Sequence, residues 1–437
     1  MKVDLIIENG VVLTMDPSRS IIENGVVVID KGKIIDLGDS AILSKYESTE
    51  KINAHEKLVM PGLINTHTHT GNTIYRGIAD DLPLKDWLEK FIFPLEAKFC
   101  NKELVILSAK LSIIEMIKAG TTTFSDMYYF ENEVAQVAKE IGIRAELAET
   151  LLDFPSPTVK TSDEGLKYTE DLICNWKNDP LIKIAVAPHA PYTCNASTLK
   201  KAKTLADKYN VSFHLHLSET ENEFNESLKK NNATPVEYLS RLGVLEGNVF
   251  AIHCVHLSEN DREILRKNKI GVSYNAQSNM KLASGIAPVA DLLRRNILVG
   301  IGTDGAASNN TLNLFEEMDM GSKLQKVFTK DSTVLNAKTV VEMATLNGAR
   351  LLGLENNCGS IEKGKNADII LIDLNLPHLI PIYNFYSHLV FAMNGSEVNT
   401  VIVNGKVLMQ NRKLKTIDEE AVLREAKVLS LKIKNNF

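Results

Sequence analysis

Eight apolar or β-branched runs, at 63–69, 121–127, 144–150, 183–189, 211–217, 249–255, 271–276 and 298–303, alternate with stretches of helical spacing through the middle of this chain. Parallel strands need long crossover connections and helices supply them, so the alternation reads as α/β with a parallel sheet. Eight units of this kind predict a (β/α)8 TIM-like barrel. Asn101 to Ala119 shows the pattern: Leu104, Leu107, Leu111, Ile114 and Ile117 fall on one helical face, and Gly120 stops the helix. An open doubly wound sheet is the alternative. It would need a glycine-rich phosphate turn after an early strand, and the sequence has none.

The two ends of the chain have a different texture. Residues 1–57 read as short strands with tight turns, and the same texture returns at 367–373 and 400–408, the latter turning at Asn404-Gly405, a strong hairpin signal. One small β-sandwich built from both ends accounts for this. The expected division is 1–57 for the first part of the sandwich, 58–357 for the barrel, 358–417 for the second part, and 418–437 for a C-terminal helix packed on the outside.

Composition excludes several classes of function. Lys plus Arg of 49 against Asp plus Glu of 55 gives a net charge of −6, so no basic field gathers nucleic acid or an anionic membrane. A small-molecule partner is expected, with a homo-oligomer in keeping with a barrel of this size. The N-terminus is broken by Asp4, Glu8 and Asn9, and no apolar stretch is long enough to span a bilayer. The five cysteines are scattered and have no C-x-x-C spacing, which argues against disulfides or a thiolate metal site and for the cytoplasm.

Active sites of such barrels gather at the C-terminal ends of the strands. Here those ends carry metal-ligand residue types: His67 and His69 at the first, His189 at the fourth, His216 with Glu219 just beyond at the fifth, His253 and His256 at the sixth, and Asp304 at the eighth. Residues two apart on a strand face the same way, so His67 and His69 converge on one point. A lone H-x-H is weak evidence. The set His67, His69, His216 and Asp304 is stronger, because donors from separate strands agree in chemistry. His214 and His256 read more simply as an interior histidine and a backbone cap.

Imidazoles with a carboxylate suit zinc, with ferrous iron or manganese as alternatives, and exclude the all-oxygen character of a calcium site. A catalytic zinc leaves a position for water and lowers that water's pKa to about 7. Glu219, three residues past His216, is near the ion yet offset from the ligand, and reads as the proton carrier.

The segments PGLINTHTH (61–69), APHAPYT (187–193), HLHLSET (214–220), IHCVHL (252–257), SNMKLASGIAPV (278–289) and GTDGAASNN (302–310) resemble the amidohydrolase superfamily. With LEK at 88–90 and FPLEAKF at 93–99, the chain looks like the branch that deaminates 5-methylthioadenosine, S-adenosylhomocysteine and 5′-deoxyadenosine. The resemblance implies that His67, His69, His216 and Asp304 bind one zinc per subunit, that Glu219 is the acid/base, and that His253 holds the attacking water with Asp304. It implies that Trp87, Glu96 and His189 contact the nucleoside, with Glu96 accepting from the ribose hydroxyls; unaided, Glu96 reads as a helix-surface charge. Two-metal relatives bridge their ions with a modified lysine at the end of strand four, whereas Lys183 sits at its start here, so one ion is expected.

Two departures from the branch stand out. Some members that accept S-adenosylhomocysteine place an arginine near the end of the third strand; ELAETLLD (146–153) offers Glu149, which would repel the amino-acid carboxylate and favour a small uncharged 5′ group. Tyr274-Asn275-Ala276 stands where relatives often show His-Asn-Pro. The rival readings are a guanine, cytosine or triazine-type hydrolase of the same superfamily, a cyclic-amide hydrolase, and a non-catalytic assembly protein on the same fold.

Overall fold

In the computed structural model, which describes residues 1–436, all eight expected runs carry barrel strands. They are Leu63–Thr68, Thr121–Tyr128, Arg144–Leu151, a fourth in two pieces (Ile182–Ile184 and Ala187–Pro188), Phe213–Leu217, Val249–His253, Gly271–Tyr274 and Val299–Ile301. Neighbours pair in parallel, the first four strands in one sheet and the last four in another. The interruption of the fourth strand has a local cause. Both pieces keep one register against the third strand, while Val186 between them bridges instead to Phe213 of the fifth.

The two seams between the sheets are held by backbone bonds of residues singled out above. The His216 N–H donates to the His189 carbonyl at 2.9 Å, and the Asp304 N–H donates to the His67 carbonyl at 2.9 Å. The strand ends that carry the candidate chemistry therefore also join the barrel's halves.

Around the barrel, the helix expected over 101–119 runs from Lys102 to Lys118, with the Asn101 side chain capping the Leu104 N–H at 2.9 Å. Its buried face includes Ser108 and Ser112, which bond the segment after the first strand: Ser108 Oγ accepts from the Ile74 N–H and Ser112 Oγ donates to the Thr70 carbonyl. The C-terminal helix, Glu419–Lys434, packs against this helix and is tied to it by a Lys118–Glu419 ion pair.

Both chain ends build one nine-stranded sheet, with Lys2–Leu13 at its centre. That strand is antiparallel to Ile21–Asp30 and parallel to Glu47–Asn53 and Lys57–Pro61. Lys57–Pro61 in turn pairs antiparallel with Ile369–Asp373, from which Val398–Val403 and Lys406–Gln410 continue. Leu58 to Pro61, read from sequence as the start of the barrel, thus pair within this sheet, and the chain passes to the barrel at Gly62. A bridge between Lys33 and Asn366 folds the sheet back on itself, so Ile7, Ile29, Ile34, Ile369 and Ile402 share one buried cluster. The hairpin at Asn404-Gly405 has both residues at positive φ, 49° and 77°, as its two-residue turn requires. Between sheet and barrel, Arg144 of the third strand forms a buried two-point pair with Asp368, at 2.8 and 3.2 Å. No helix among the described residues is long and apolar enough to cross a membrane.

Candidate metal centre and active site

His67 is the last residue but one of the first strand and His69 follows the strand; their rings meet edge to face with centroids 4.6 Å apart. Their Nε2 atoms lie 3.4 Å and 3.2 Å from Asp304 Oδ1, and the His216 Nε2 lies 3.3 Å from the His67 Nε2. His253 closes the group, with its Nε2 3.7 Å from Glu219 Oε2 and 4.0 Å from Asp304 Oδ2. Two triads with metal-ligand spacing result, His67–His69–Asp304 and His67–His216–His253, sharing His67. His253, expected to hold water, is thus also close enough to serve as a donor.

The other face of three rings explains why their Nε2 atoms point inward as lone pairs. Nδ1 of His69 faces the Met127 carbonyl at 2.5 Å, Nδ1 of His216 faces the His189 carbonyl at 2.9 Å, and Nδ1 of His253 faces Asn279 Oδ1 at 2.8 Å. Each oxygen can only accept, which favours the hydrogen on Nδ1 and turns Nε2 toward a cation, although Asn275 Nδ2 also approaches Nδ1 of His253 at 3.3 Å and Nε2 of His69 must give up its proton to bind one. Burial holds His67 neutral, pushing its pKa down to about 3, and keeps that of His216 well below the ordinary value. At His69, burial is outweighed by the Asp304 carboxylate and the Met127 carbonyl, and the pKa rises to about 9, so this point of the site favours positive charge. Burial would raise the Asp304 carboxyl, but His67 and His69 hold it well below the usual range. Lone pairs, a carboxylate and a field favouring one cation fit a nitrogen–oxygen divalent metal.

Asp304 is fixed from behind: Ser278 Oγ donates to its Oδ2 at 2.6 Å and the Gly305 N–H to its Oδ1 at 2.7 Å. Glu219 is buried against the same carboxylate, and burial followed by the charge on Asp304 pushes its pKa up to about 8. A carboxyl poised near neutrality can both give and take a proton. Its loop is held by Glu223, whose two oxygens accept the N–H groups of Ser218 and Glu219 at 2.9 and 2.8 Å. Strain accompanies this placement, because Ser218, His253, Cys254 and Asp304 all have φ between 50° and 72°, where non-glycine residues are disfavoured.

The remaining expected residues divide. Trp87 and His189 line the pocket with His69, His216, Glu219, His253 and Asp304. Glu96 is no surface charge: it is buried, accepts a hydrogen bond from the Tyr128 hydroxyl at 2.8 Å, and its pKa is pushed up to about 7 by burial. His256 bonds the Ser284 carbonyl at 2.7 Å as a backbone contact. His214 is interior, packed 4.7 Å from the Phe250 ring, yet neither ring nitrogen has a partner among the described residues. Lys183 bonds the Leu352 carbonyl and pairs with Glu146 at 3.2 Å, at the start of its strand.

Glu149 corrects the reading of the 5′ group. Its side chain is fully buried and accepts the Glu131 N–H at 3.2 Å, so it presents no charge to the pocket. Tyr274 is buried in the core, and Asn275 lies 3.3 Å from His253 Nδ1, behind the site. The sequence reading missed Glu223, Ser278 and Asn279. Glu223 had a local signal in its T-x-x-E spacing from Thr220, which caps the Glu223 N–H, whereas Ser278 and Asn279 open the segment SNMKLASGIAPV, to which no role was given.

Two consequences can be measured. Asn279→Leu frees the His253 ring to change tautomer and is expected to lower ion affinity or turnover by about 10–100-fold, read by metal content and steady-state rates. Burial raises the Glu149 pKa from 4.5 to about 8. Between those values the folded chain binds protons that the unfolded chain has released, so stability falls as pH rises through that window. Glu149→Gln is expected to flatten this fall, seen as a smaller drop in Tm between about pH 6 and pH 8.

A parallel eight-stranded barrel with imidazoles and an aspartate converging at its C-terminal face defines a metal-dependent hydrolase. The comparisons agree, and the chain belongs to the amidohydrolase family, whose model matches residues 58–408. The 5-methylthioadenosine/S-adenosylhomocysteine deaminase 1 of Syntrophus aciditrophicus is 47% identical over 436 residues, covering 100% of this chain and 98% of that one. The 5′-deoxyadenosine deaminase of Methanosarcina acetivorans is 44% identical over 426 residues, 97% of each chain. Among solved structures, an adenosine deaminase from Xanthomonas campestris with bound zinc superposes with a TM-score of 0.97 at 35% identity, over 99% of each chain.

Proposed function

We propose that this chain is a zinc-dependent deaminase converting adenosine-type nucleosides with modified 5′ groups, such as 5′-deoxyadenosine and 5-methylthioadenosine, to the inosine derivatives and ammonia. The observation that carries the reading is the donor set whose Nε2 lone pairs are turned inward by carbonyl partners, beside a carboxyl poised near neutrality. The full-length likeness to deaminases of such nucleosides supplies the substrate class. Free cysteines and the absence of a membrane-spanning helix among the described residues support a cytoplasmic enzyme.

His67, His69, His216 and Asp304 would hold the ion, with His253 at its edge. Zinc in this place supplies a Lewis acid that makes water a competent nucleophile near neutral pH. Glu219 protonates ring nitrogen 1 of the purine as water adds to carbon 6. His253 orients that water, and Asp304, fixed by Ser278, accepts its proton. The carbon 6–nitrogen bond then breaks as the proton taken up by Asp304 passes to the amine and Glu219 recovers a proton from the new hydroxyl, so water and nucleoside become inosine derivative and ammonia. Trp87 and His189 bound the base, and Glu96 accepts from the ribose hydroxyls.

Ammonia release from adenosine, 5′-deoxyadenosine, 5-methylthioadenosine, free adenine, guanine and cytosine tests this. The nucleosides should react and the free bases should not. Preference for a free base would overturn the proposal.

A further inference from the structure

Outward from the metal pocket the cleft widens into a groove of about 660 Å³. Leu84, Leu88, Tyr192 and Leu282 line both, so the groove continues the pocket. Its wall is aromatic: Phe93 and Phe154 meet edge to face with centroids 5.7 Å apart, and the Tyr192 ring stands 6.0 Å from that of His189. Phe93, which lines the groove, stands one turn before Glu96 on the same face of the helix Phe93–Phe99. The rim is acidic. Glu89, Glu221 and Glu226 line the groove without an ion pair or hydrogen bond among the described residues, against a single lysine, Lys85. Glu223 also lines it, but its oxygens are taken by the Ser218 and Glu219 N–H groups.

We infer that this groove is the subsite for the 5′ arm, taking thioether arms that are apolar beside the sugar and neutral or cationic at their end, and disfavouring arms that end in a carboxylate. The inference rests on the proposed function and gives that site its selectivity. With the base beside Glu219, the 5′ side leaves through the four shared residues, and the groove has room for an arm far longer than a methylthio group. Sulfur packs well against aromatic rings. A carboxylate entering the rim is repelled by the unpaired carboxylates of Glu89, Glu221 and Glu226, an effect that salt screens, whereas an ammonium is attracted. The selectivity first read from Glu149 is thereby reassigned to residues that reach the cleft.

The test compares kcat/KM for four nucleosides. They are 5′-deoxyadenosine, which has no arm, 5-methylthioadenosine, S-adenosylhomocysteine, and 5′-(3-aminopropylthio)adenosine, which is the last but one without its carboxylate. The methylthio and aminopropyl compounds should exceed S-adenosylhomocysteine by about tenfold, with the gap narrowing as salt is raised. Glu89→Lys combined with Glu226→Lys should reverse the order of the aminopropyl compound and S-adenosylhomocysteine while leaving 5′-deoxyadenosine unchanged. Phe154→Ala should lower 5-methylthioadenosine relative to 5′-deoxyadenosine. S-adenosylhomocysteine matching the aminopropyl compound, or a ratio unmoved by charge reversal, would overturn the inference while leaving the deaminase intact. Failure of all four, the armless control included, would overturn the deaminase itself.

Discussion

Glu219→Gln is expected to lower kcat on 5′-deoxyadenosine or 5-methylthioadenosine by about a hundred- to ten-thousandfold, the usual worth of general acid/base assistance, with the metal content of the purified protein unchanged. The separation of the two readouts follows from the geometry. Glu219 approaches His253 at 3.7 Å but belongs to neither metal-spaced triad, and its loop is pinned through main-chain N–H groups by Glu223. Gln keeps the shape and removes the titration. Near-normal turnover in this variant would remove Glu219 from the proton-transfer role.

His67→Ala should have the opposite signature, losing metal and turnover together. His67 is the one residue common to both triads, and its Nε2 lies 3.3 Å from that of His216 and 3.4 Å from Asp304 Oδ1. Loss of a residue that merely orients a ligand costs about 10–100-fold in ion affinity, and loss of the shared donor should exceed that. Metal analysis beside ammonia release reads the effect, and a variant that retained a full complement of metal would exclude the proposed centre.

Much of the barrel was legible because periodicity is local: apolar strands and amphipathic helices announce themselves within a dozen residues. The break in the fourth strand was not, since it depends on Val186 turning to a neighbour across the seam. The metal-ligand types at strand ends were legible for the same reason that the strands were. The residues behind them were not. Asn279 reaches His253 and Ser278 reaches Asp304 across 26 positions in each case, and although both open the segment SNMKLASGIAPV, no local pattern says which strand end either one serves. Glu96 and Glu149 show the limit from the other side, because a glutamate carries no sign in the sequence of whether its helix or strand face is buried. One proved to be buried and bonded to the Tyr128 hydroxyl and the other buried against the Glu131 N–H at the start of the helix Glu131–Ile141, each with its pKa raised by burial.

The sheet built from both termini sets a timetable for synthesis. Lys57–Pro61 is translated roughly three hundred residues ahead of its partner Ile369–Asp373, which at about 5–20 residues per second leaves its edge bare for tens of seconds. An unpaired apolar edge is a template for another chain. The nascent polypeptide is therefore most vulnerable to mispairing on the ribosome, and crowded polysomes or fast overexpression should cost yield through the first sixty residues even where the finished enzyme is robust.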